Sequence, residues 1–330
     1  MQHDLRAARM RHLAWFAGGS LLAAFLLVLP AAVQGQAQRA PDVRAWAADR
    51  DAHRVVGLDG NLLRVRELQL AWPLAVAARV DGGLWVLRSG NGTGSFGARL
   101  TGLDAGGAQT NELYLEDAAS LALWGGLDAL VIELGGAGPG RDRVWRVAPD
   151  GTGRILHEGE HLNALCASGA DVVIGATDGT LLRVAPDGSK KVLGLARTDR
   201  MIGAVAEGPL PGSVFVLDVG PGHRLALFDT KLSPAWSVAL GLDAQHVGVV
   251  PGEERVWVTD VNGARARRYG PRGVLELECA LPLHAPDHPL AFGDGALFAA
   301  PGGILRVDAL GRALPGQGGF AWLSGLARAP

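Results

Sequence analysis

Val144-Trp-Arg-Val-Ala-Pro-Asp-Gly151 recurs almost unchanged, from residue 181, as Leu181-Leu-Arg-Val-Ala-Pro-Asp-Gly188. Two near-identical octapeptides in one chain indicate internal repetition. Each consists of a short apolar run that ends in a Pro-Asp-Gly turn, which is the pattern of a β-strand followed by a tight hairpin connection. The rest of the chain can therefore be aligned to this pair.

The same element occurs in seven copies along the chain. Where adjacent copies keep their turn glycine, they lie about 37 to 46 residues apart, a spacing that belongs to repeat architectures. The copies cover residues 53–60, 98–106, 144–151, 181–188, 224–231, 267–273 and 304–311. With strands instead of helices in each repeat, this period predicts the blades of a β-propeller.

Two further apolar segments recur in every repeat. They are short and continuous, which suits strands that are buried on both faces, as they are where blade packs on blade. The second-strand segments cover residues 43–47, 84–87, 130–132, 172–174, 214–217, 256–259 and 296–298. The first-strand segments cover residues 74–77, 121–124, 162–166, 202–205, 247–250, 290–292 and 321–323.

The two ends of the repeat array are complementary. The last first strand, at 321–323, has no second strand after it, whereas the repeat at Val43 has no first strand before it. Joining the two ends completes one more blade and leaves no open sheet edge. We therefore predict an all-β propeller with seven blades, closed by pairing of its N- and C-terminal strands; six blades is the alternative.

Composition agrees with one globular β-domain. The 330 residues are 48% hydrophobic and 19% charged, which argues against disorder, and the 48 glycines indicate many turns. The net charge of −2 and the scattered arginines argue against a nucleic-acid partner. Cys166 and Cys279 fall in separate repeats, so we expect two buried free thiols rather than a disulfide.

The N-terminus has the features of a secretory signal. Arg6, Arg9 and Arg11 precede an apolar run at 13–33, and small residues follow it up to Ala37. Residues 1–37 are therefore predicted to be a signal peptide, with an uncleaved membrane anchor as the alternative. In either case the propeller, residues 38–330, is expected in the periplasm or outside the cell, with membrane contact only through the N-terminal segment.

The repeat resembles the NHL repeat. The best copy contains Arg255-Val-Trp-Val-Thr-Asp260, followed by Asn262-Gly263, Arg268-Tyr269 and Gly273, and the resemblance extends over residues 43–330. It implies a propeller related to interaction scaffolds, streptogramin lyases and a peptide-amidating lyase, with gluconolactonase-like propellers as more distant relatives. NHL domains commonly have six blades, so the seven copies counted here depart from the usual number.

Candidate functional residues lie just before the first strands, where a propeller has the mouth of its central channel. Three histidines share this position, and three imidazoles from converging strands could hold a divalent metal such as zinc. The resemblance to the amidating lyase suggests the same role. The predicted metal ligands are His161, His246 and His288. A polar, solvated rim without chemistry is the alternative, and His288 lies one residue out of register.

Three charged residues beside these histidines complete the predicted site. Glu160 or Asp287 could act as a base or orient a metal ligand, and Arg200 could bind a substrate carboxylate through two hydrogen bonds. The primary functional prediction is a module that binds a protein, a peptide or a small molecule without a cofactor. The alternative is a metal-dependent lyase or hydrolase at the mouth. Trp72 is singled out as an aromatic residue at the same position.

Overall fold

The computed structural model describes residues 42–90, 97–135, 141–249, 253–260, 262, 264–281 and 287–330. Among these residues the chain forms β-strands and one short 3-10 turn, Pro271–Gly273. No helix in this part of the chain is long and apolar enough to cross a membrane. The predicted leader or anchor at 1–37 lies outside the described residues.

The strands form seven four-stranded antiparallel sheets, which are the blades. Blade 1 contains β1 (Ala45–Asp49), β2 (Arg54–Leu58), β3 (Arg64–Gln69) and, from the C-terminus, β28 (Leu323–Arg328). Blade 2 contains β4 (Pro73–Ala78), β5 (Leu84–Ser89), β6 (Ala98–Leu103) and β7 (Gln109–Leu115). Blade 3 contains β8 (Ala118–Trp124), β9 (Asp128–Glu133), β10 (Asp142–Val147) and β11 (Gly153–Gly159).

The remaining four blades follow in chain order. Blade 4 contains β12 (Leu162–Ser168), β13 (Asp171–Ala176), β14 (Thr180–Val184) and β15 (Val192–Arg197). Blade 5 contains β16 (Met201–Glu207), β17 (Val214–Val219), β18 (Arg224–Phe228) and β19 (Pro234–Ala239). Blade 6 contains β20 (Val247–Val249), β21 (Val256–Asp260), β22 (Arg265–Tyr269) and β23 (Leu275–Ala280). Blade 7 contains β24 (Asp287–Phe292), β25 (Gly295–Ala300), β26 (Gly303–Val307) and β27 (Ala313–Gly318).

The prediction of seven blades and of ring closure is confirmed. β28 pairs antiparallel with β1, in a register that places Arg328 opposite Ala45 and Leu326 opposite Ala47. The first strands of neighbouring blades contact one another all the way round, including β24 with β28 and β28 with β4. Because β1 is covered by β28, neither end of the array leaves an open inner edge.

The core lies between the blades. Second strands such as β17 are buried almost throughout, because both faces of the sheet are covered by neighbouring blades. The buried residues fall into seven clusters, and each joins two adjacent blades; Phe298 of blade 7, for example, packs with Trp257 of blade 6. The fourth strands are largely exposed and had no apolar pattern to reveal them in the sequence.

The two octapeptides have a structural role. Their strands are β10 and β14, the third strands of blades 3 and 4, and their turns lie at the end of the ring opposite to the starts of the first strands. Gly151 and Gly188 adopt φ values of 87° and 79°, a conformation in which a side chain would be strained. Cys166 and Cys279 are buried and free, as predicted.

Candidate functional site

We call the end of the ring at which the first strands begin the mouth, and the residue directly before a first strand the mouth position of its blade. His161, Arg200 and His246 occupy the mouth positions of blades 4, 5 and 6, with Glu160 next to His161. Asp287 and His288 are the first two residues of β24. All six predicted site residues therefore belong to the same end of the propeller.

Blade 1 differs from the register expected from the sequence. Its first strand begins at Leu323, so that Trp322 and not Phe320 is the mouth residue. Phe320 is buried, with the guanidinium of Arg64 over its ring at 4.6 Å from the centroid. The apolar character of Phe320 therefore reflects packing below the mouth. Trp322 instead is 51% exposed.

A cleft of about 400 Å³ lies between blades 3 and 4 at the mouth. The connection from β11 to β12 forms one wall, and the turn from β13 to β14 contributes to the other. Leu162, Ala176 and Leu182 give the cleft an apolar part. Its polar lining consists of Arg141, His157, Glu158, Glu160, His161, Asp178 and Thr180.

Glu160 and His161 are held in this wall by the backbone. His161 has a φ of 62°, and its carbonyl oxygen accepts a hydrogen bond from the Thr177 amide at 2.8 Å. The next residue, Leu162, donates its amide to Asp142 Oδ2 at 2.9 Å. The side chains of Glu160 and His161 are exposed, and neither forms a hydrogen bond or ion pair with another described residue. Both are therefore available to a ligand.

The other carboxylates of the cleft are engaged. Lys190 Nζ donates to Glu158 Oε2 at 2.6 Å, and this hydrogen bond and charge hold the pKa of Glu158 below its usual range. Burial raises the pKa of Asp178, but the hydrogen bonds from Thr180 and the charge of Arg197 outweigh it and lower the pKa overall. Both groups therefore remain ionised at neutral pH.

His157 supplies a neutral polar group to the same cleft. Burial lowers the pKa of His157 below its usual value, and this effect outweighs the charge of Glu158, while Lys190 lowers the pKa further. A neutral imidazole has one donor and one acceptor nitrogen. His157 was not identified from the sequence, because its position inside β11 has no counterpart among the mouth residues.

The three predicted metal ligands are not gathered at one point. The rings of His246 and His288 stack at 4.0 Å between centroids and 26° between planes, which brings blades 6 and 7 together at the mouth. His161 belongs to blade 4. Within the described ranges, no three His, Cys, Asp or Glu side chains are grouped so that they could hold a metal ion. The predicted zinc site remains untested.

Arg200 lies beside a second buried charge that sequence reasoning did not single out. Its Nη1 atom is buried and has no hydrogen-bond partner, and the same is true of Oδ1 of Asp218 at the end of β17. Burial raises the pKa of Asp218 to about 6, against the hydrogen bond from Thr198 and the charges of Arg224 and Arg200. Asp218 is therefore a buried carboxyl group that titrates close to neutral pH.

Comparison with known proteins identifies the fold and nothing finer. No protein-family model and no curated protein matches the sequence. Among solved structures, a candidate 6-phosphogluconolactonase from Bacteroides fragilis NCTC 9343 superposes with a TM-score of 0.67 at 12% identity, covering 90% of this chain and 100% of the other. A protein of unknown function from Desulfotomaculum acetoxidans DSM 771 gives 0.69 at 10% identity, with coverage of 87% and 99%.

A third similar structure is the dihydro-heme d1 dehydrogenase NirN in complex with DHE. Its TM-score is 0.62 at 12% identity, and the match covers 87% of this chain and 66% of the NirN chain. Identities this low establish a shared architecture, and propellers of one architecture support many unrelated functions. The chain is a seven-bladed β-propeller, and these similarities assign it no function.

Proposed function

We propose that this chain is an exported, NHL-like propeller that binds a small zwitterionic ligand, such as an amino acid or the end of a peptide, in the cleft between blades 3 and 4. One observation carries the proposal. Glu160 and Arg141 are exposed side chains of opposite charge on the same cleft, and neither forms an ion pair within 4.0 Å with a residue in the described ranges.

The chemistry of the cleft suits such a ligand. A ligand ammonium group would pair with Glu160, and a ligand carboxylate would accept two hydrogen bonds from the Arg141 guanidinium. Leu162 and Leu182 offer an apolar surface to the rest of the molecule, and the neutral His157 can donate or accept one more hydrogen bond. A volume of about 400 Å³ lies within the usual range of small-molecule sites.

Isothermal titration calorimetry tests this proposal. The purified protein is titrated with the standard amino acids and a set of dipeptides at pH 7. For the ligand that binds best, Glu160→Gln and Arg141→Gln should each weaken binding about tenfold or more, because each removes one charge-assisted hydrogen-bonding partner. Glu253→Gln is the matched control, since Glu253 lies on the β20–β21 connection, at the other end of the ring.

Two results would contradict the proposal. One is a complete absence of binding across the amino acids and dipeptides. The other is equal loss of affinity in the Glu253 control and in the cleft variants, which would point to a general effect of charge. Circular dichroism and thermal unfolding of each variant separate loss of binding from loss of fold.

A metal-dependent lyase or hydrolase is the second proposal, supported by the contact between His246 and His288 at the mouth. Zinc would take imidazole nitrogens of His246 and His288, whereas His161, on blade 4 and not grouped with them, would have to approach to complete the ligand set. Asp287, Glu160 and Arg200 would serve as base, orienting group and carboxylate ligand. The test is elemental analysis of protein purified without chelators. About one zinc per chain, lost in His246→Ala, would support it; zinc-free protein that takes up none on titration would end it.

A further inference from the structure

Trp322 is an unusual residue to leave in solvent. Its side chain is 51% exposed, and it occupies the mouth position of blade 1. The other tryptophans in the described ranges are buried or half-buried. A single exposed apolar residue is ordinary on a protein surface, but exposed aromatic residues that lie side by side mark a binding surface.

A second tryptophan occupies the equivalent position on the neighbouring blade. Trp72 directly precedes β4, and the same dipeptide, Ala-Trp, stands at 71–72 and at 321–322. Trp72 has a φ of 53°, a strained conformation for a bulky residue, where glycine would relieve the strain. His161 and His288 adopt the same conformation at the mouth of blades 4 and 7, so it belongs to the turn into the first strand, and a glycine at residue 72 would fit the backbone.

The first strands that follow these tryptophans are in close contact. Ser324 Oγ donates to the carbonyl oxygen of Pro73 at 2.8 Å, so residues just inside the two mouth positions touch. A Cβ atom on Gly325 would lie 3.3 Å from Ala75 Cα, which shows how near the two backbones approach. Trp72 and Trp322 therefore lie on adjacent blades around a single part of the mouth.

Both tryptophans are fixed through their backbones by buried or aromatic partners. Oδ1 of the fully buried Asp49 accepts the Trp322 amide at 3.0 Å, and the Trp322 carbonyl accepts the Arg50 amide at 2.7 Å. His53 Nδ1 accepts the Trp72 amide at 3.2 Å, and the two rings meet edge to face at 4.3 Å. Because these backbones are already held in place, less conformational entropy is lost when a ligand binds to the two tryptophans.

Two charged side chains on the connection after β1 add hydrogen-bonding capacity. The Arg50 side chain is 29% exposed, so its guanidinium can donate to a ligand at the surface; its Nε atom is buried. The Asp51 carboxylate is 52% exposed and lies 4.0 Å from that nitrogen, so it can take a donor. A group that both donates and accepts, such as a hydroxyl, satisfies the two side chains together.

We propose that Trp72, Trp322, Arg50 and Asp51 form a saccharide-binding site at the mouth between blades 1 and 2. A sugar ring has an apolar face of C–H groups that stacks on indole, and hydroxyl groups at its edge that bond to Arg50 and Asp51. This site is separate from the cleft between blades 3 and 4. It concerns another class of ligand and does not depend on the function proposed for that cleft.

The probe is a microarray of cello-, malto-, chito- and peptidoglycan-derived oligosaccharides, screened with the full-length protein. The best-binding sugar is then measured by calorimetry. Trp322→Ala should weaken binding of this sugar about tenfold or more, because the aromatic ring on which the ligand stacks is lost. Trp322→Phe should restore part of the affinity. Trp72→Gly should also weaken sugar binding while leaving the fold intact, because glycine suits the backbone at that position.

Leu310→Ala is the matched control, because Leu310 is 67% exposed and lies at the opposite end of the ring. It should leave sugar binding unchanged, and so should Glu160→Gln in the cleft between blades 3 and 4. The proposal is overturned if no oligosaccharide binds, or if Trp322→Ala binds the best sugar as well as the unmodified protein does.

Discussion

Blades 1 and 5 place an aspartate at the same point, the mouth end of the second strand, and treat it differently. Asp49 is fully buried; its Oδ1 accepts amides of Ala321 and Trp322, and its Oδ2 accepts Arg54 Nε at 2.9 Å. Asp218 is 5% exposed, has no ion pair within 4.0 Å among the described residues, and has an Oδ1 without a hydrogen bond.

The difference shows which aspartate serves the scaffold. The bonds of Asp49 tie β1 to the residues that lead into β28, so this carboxylate helps to close the ring. Asp218 is buried without as many hydrogen bonds and ion pairs as Asp49. Burial therefore disfavours its charged form, and the pKa of Asp218 is raised. A buried polar atom left unsatisfied at a mouth is a functional candidate, whereas the same residue fully bonded is a structural one.

Removing residues 321–330 should have the largest effect. The deletion takes away β28 together with both backbone donors of Asp49, and it leaves β1 as an open edge. We expect loss of the whole free energy of unfolding, about 5–15 kcal/mol for a typical domain, seen as an aggregated or unfolded product by circular dichroism and gel filtration. Deletion of Pro330 alone is the control, and a truncated protein of normal thermal stability would refute strand closure.

Asp49→Ala should be the most damaging single substitution. It removes three hydrogen bonds to buried or half-buried donors and leaves the Arg54 guanidinium with less compensation. Breaking a buried pair in this way costs about 3–5 kcal/mol. Urea unfolding measures the change. Asp51→Ala, two residues on and half-exposed, should cost less than about 1 kcal/mol; similar losses in the two variants would contradict the structural role of Asp49.

Asp218→Asn should raise the free energy of unfolding at pH 7, whereas Asp49→Ala should lower it. The folded pKa of Asp218 is raised to about 6 from a usual value of 3.8, so the protonated form is favoured by folding. This contribution is complete below about pH 4 and disappears as pH rises through 6. The neutral amide avoids that loss, so the variant should be about 1–3 kcal/mol more stable than the unmodified protein at pH 7, and equal to it at pH 4.

Urea unfolding at the two pH values provides the measurement for Asp218. The informative quantity is the difference in unfolding free energy between Asp218→Asn and the unmodified protein at each pH, because shared effects of pH on other groups cancel. If the variant were destabilised at pH 7, Asp218 would be a structural residue like Asp49, and the contrast between blades 1 and 5 would fail.

Much of this architecture was readable from the sequence because the first three strands of each blade repeat as apolar runs. The outer strands could not be predicted, since a strand such as β27 is exposed and contains one proline and two glycines. The mouth residues could be placed because they precede apolar strands. Their partners could not, because whether a long side chain reaches a neighbour depends on rotamers and loop geometry.

Asp218 nevertheless had a signal in the sequence. Asp49 and Asp260 are each followed by an arginine five positions later, Arg54 and Arg265, with which they pair. Asp218 is followed by Arg224 at six positions, because the connection in blade 5 has one more residue. The strand register still sets Asp218 opposite Arg224, but these two side chains form no ion pair within 4.0 Å, and Arg224 acts on Asp218 only through its charge. The length of the connection is therefore the difference that the sequence itself shows between the cases.

The arginines that lie opposite the two aspartates should differ in the same way. Arg54 is half-buried and bonds to Asp49, Glu67 and the Gly319 carbonyl, so Arg54→Ala should cost about 2–4 kcal/mol in urea unfolding.

Arg224 is exposed and acts on Asp218 only through its charge, so Arg224→Ala should change the unfolding free energy by no more than about 0.5 kcal/mol at pH 7. Its clearer result is a further rise in the pKa of Asp218, because a nearby positive charge is lost. Carboxyl chemical shifts of Asp218 followed by NMR titration would detect that rise, and an unchanged or lowered pKa would show that Arg224 does not act on Asp218.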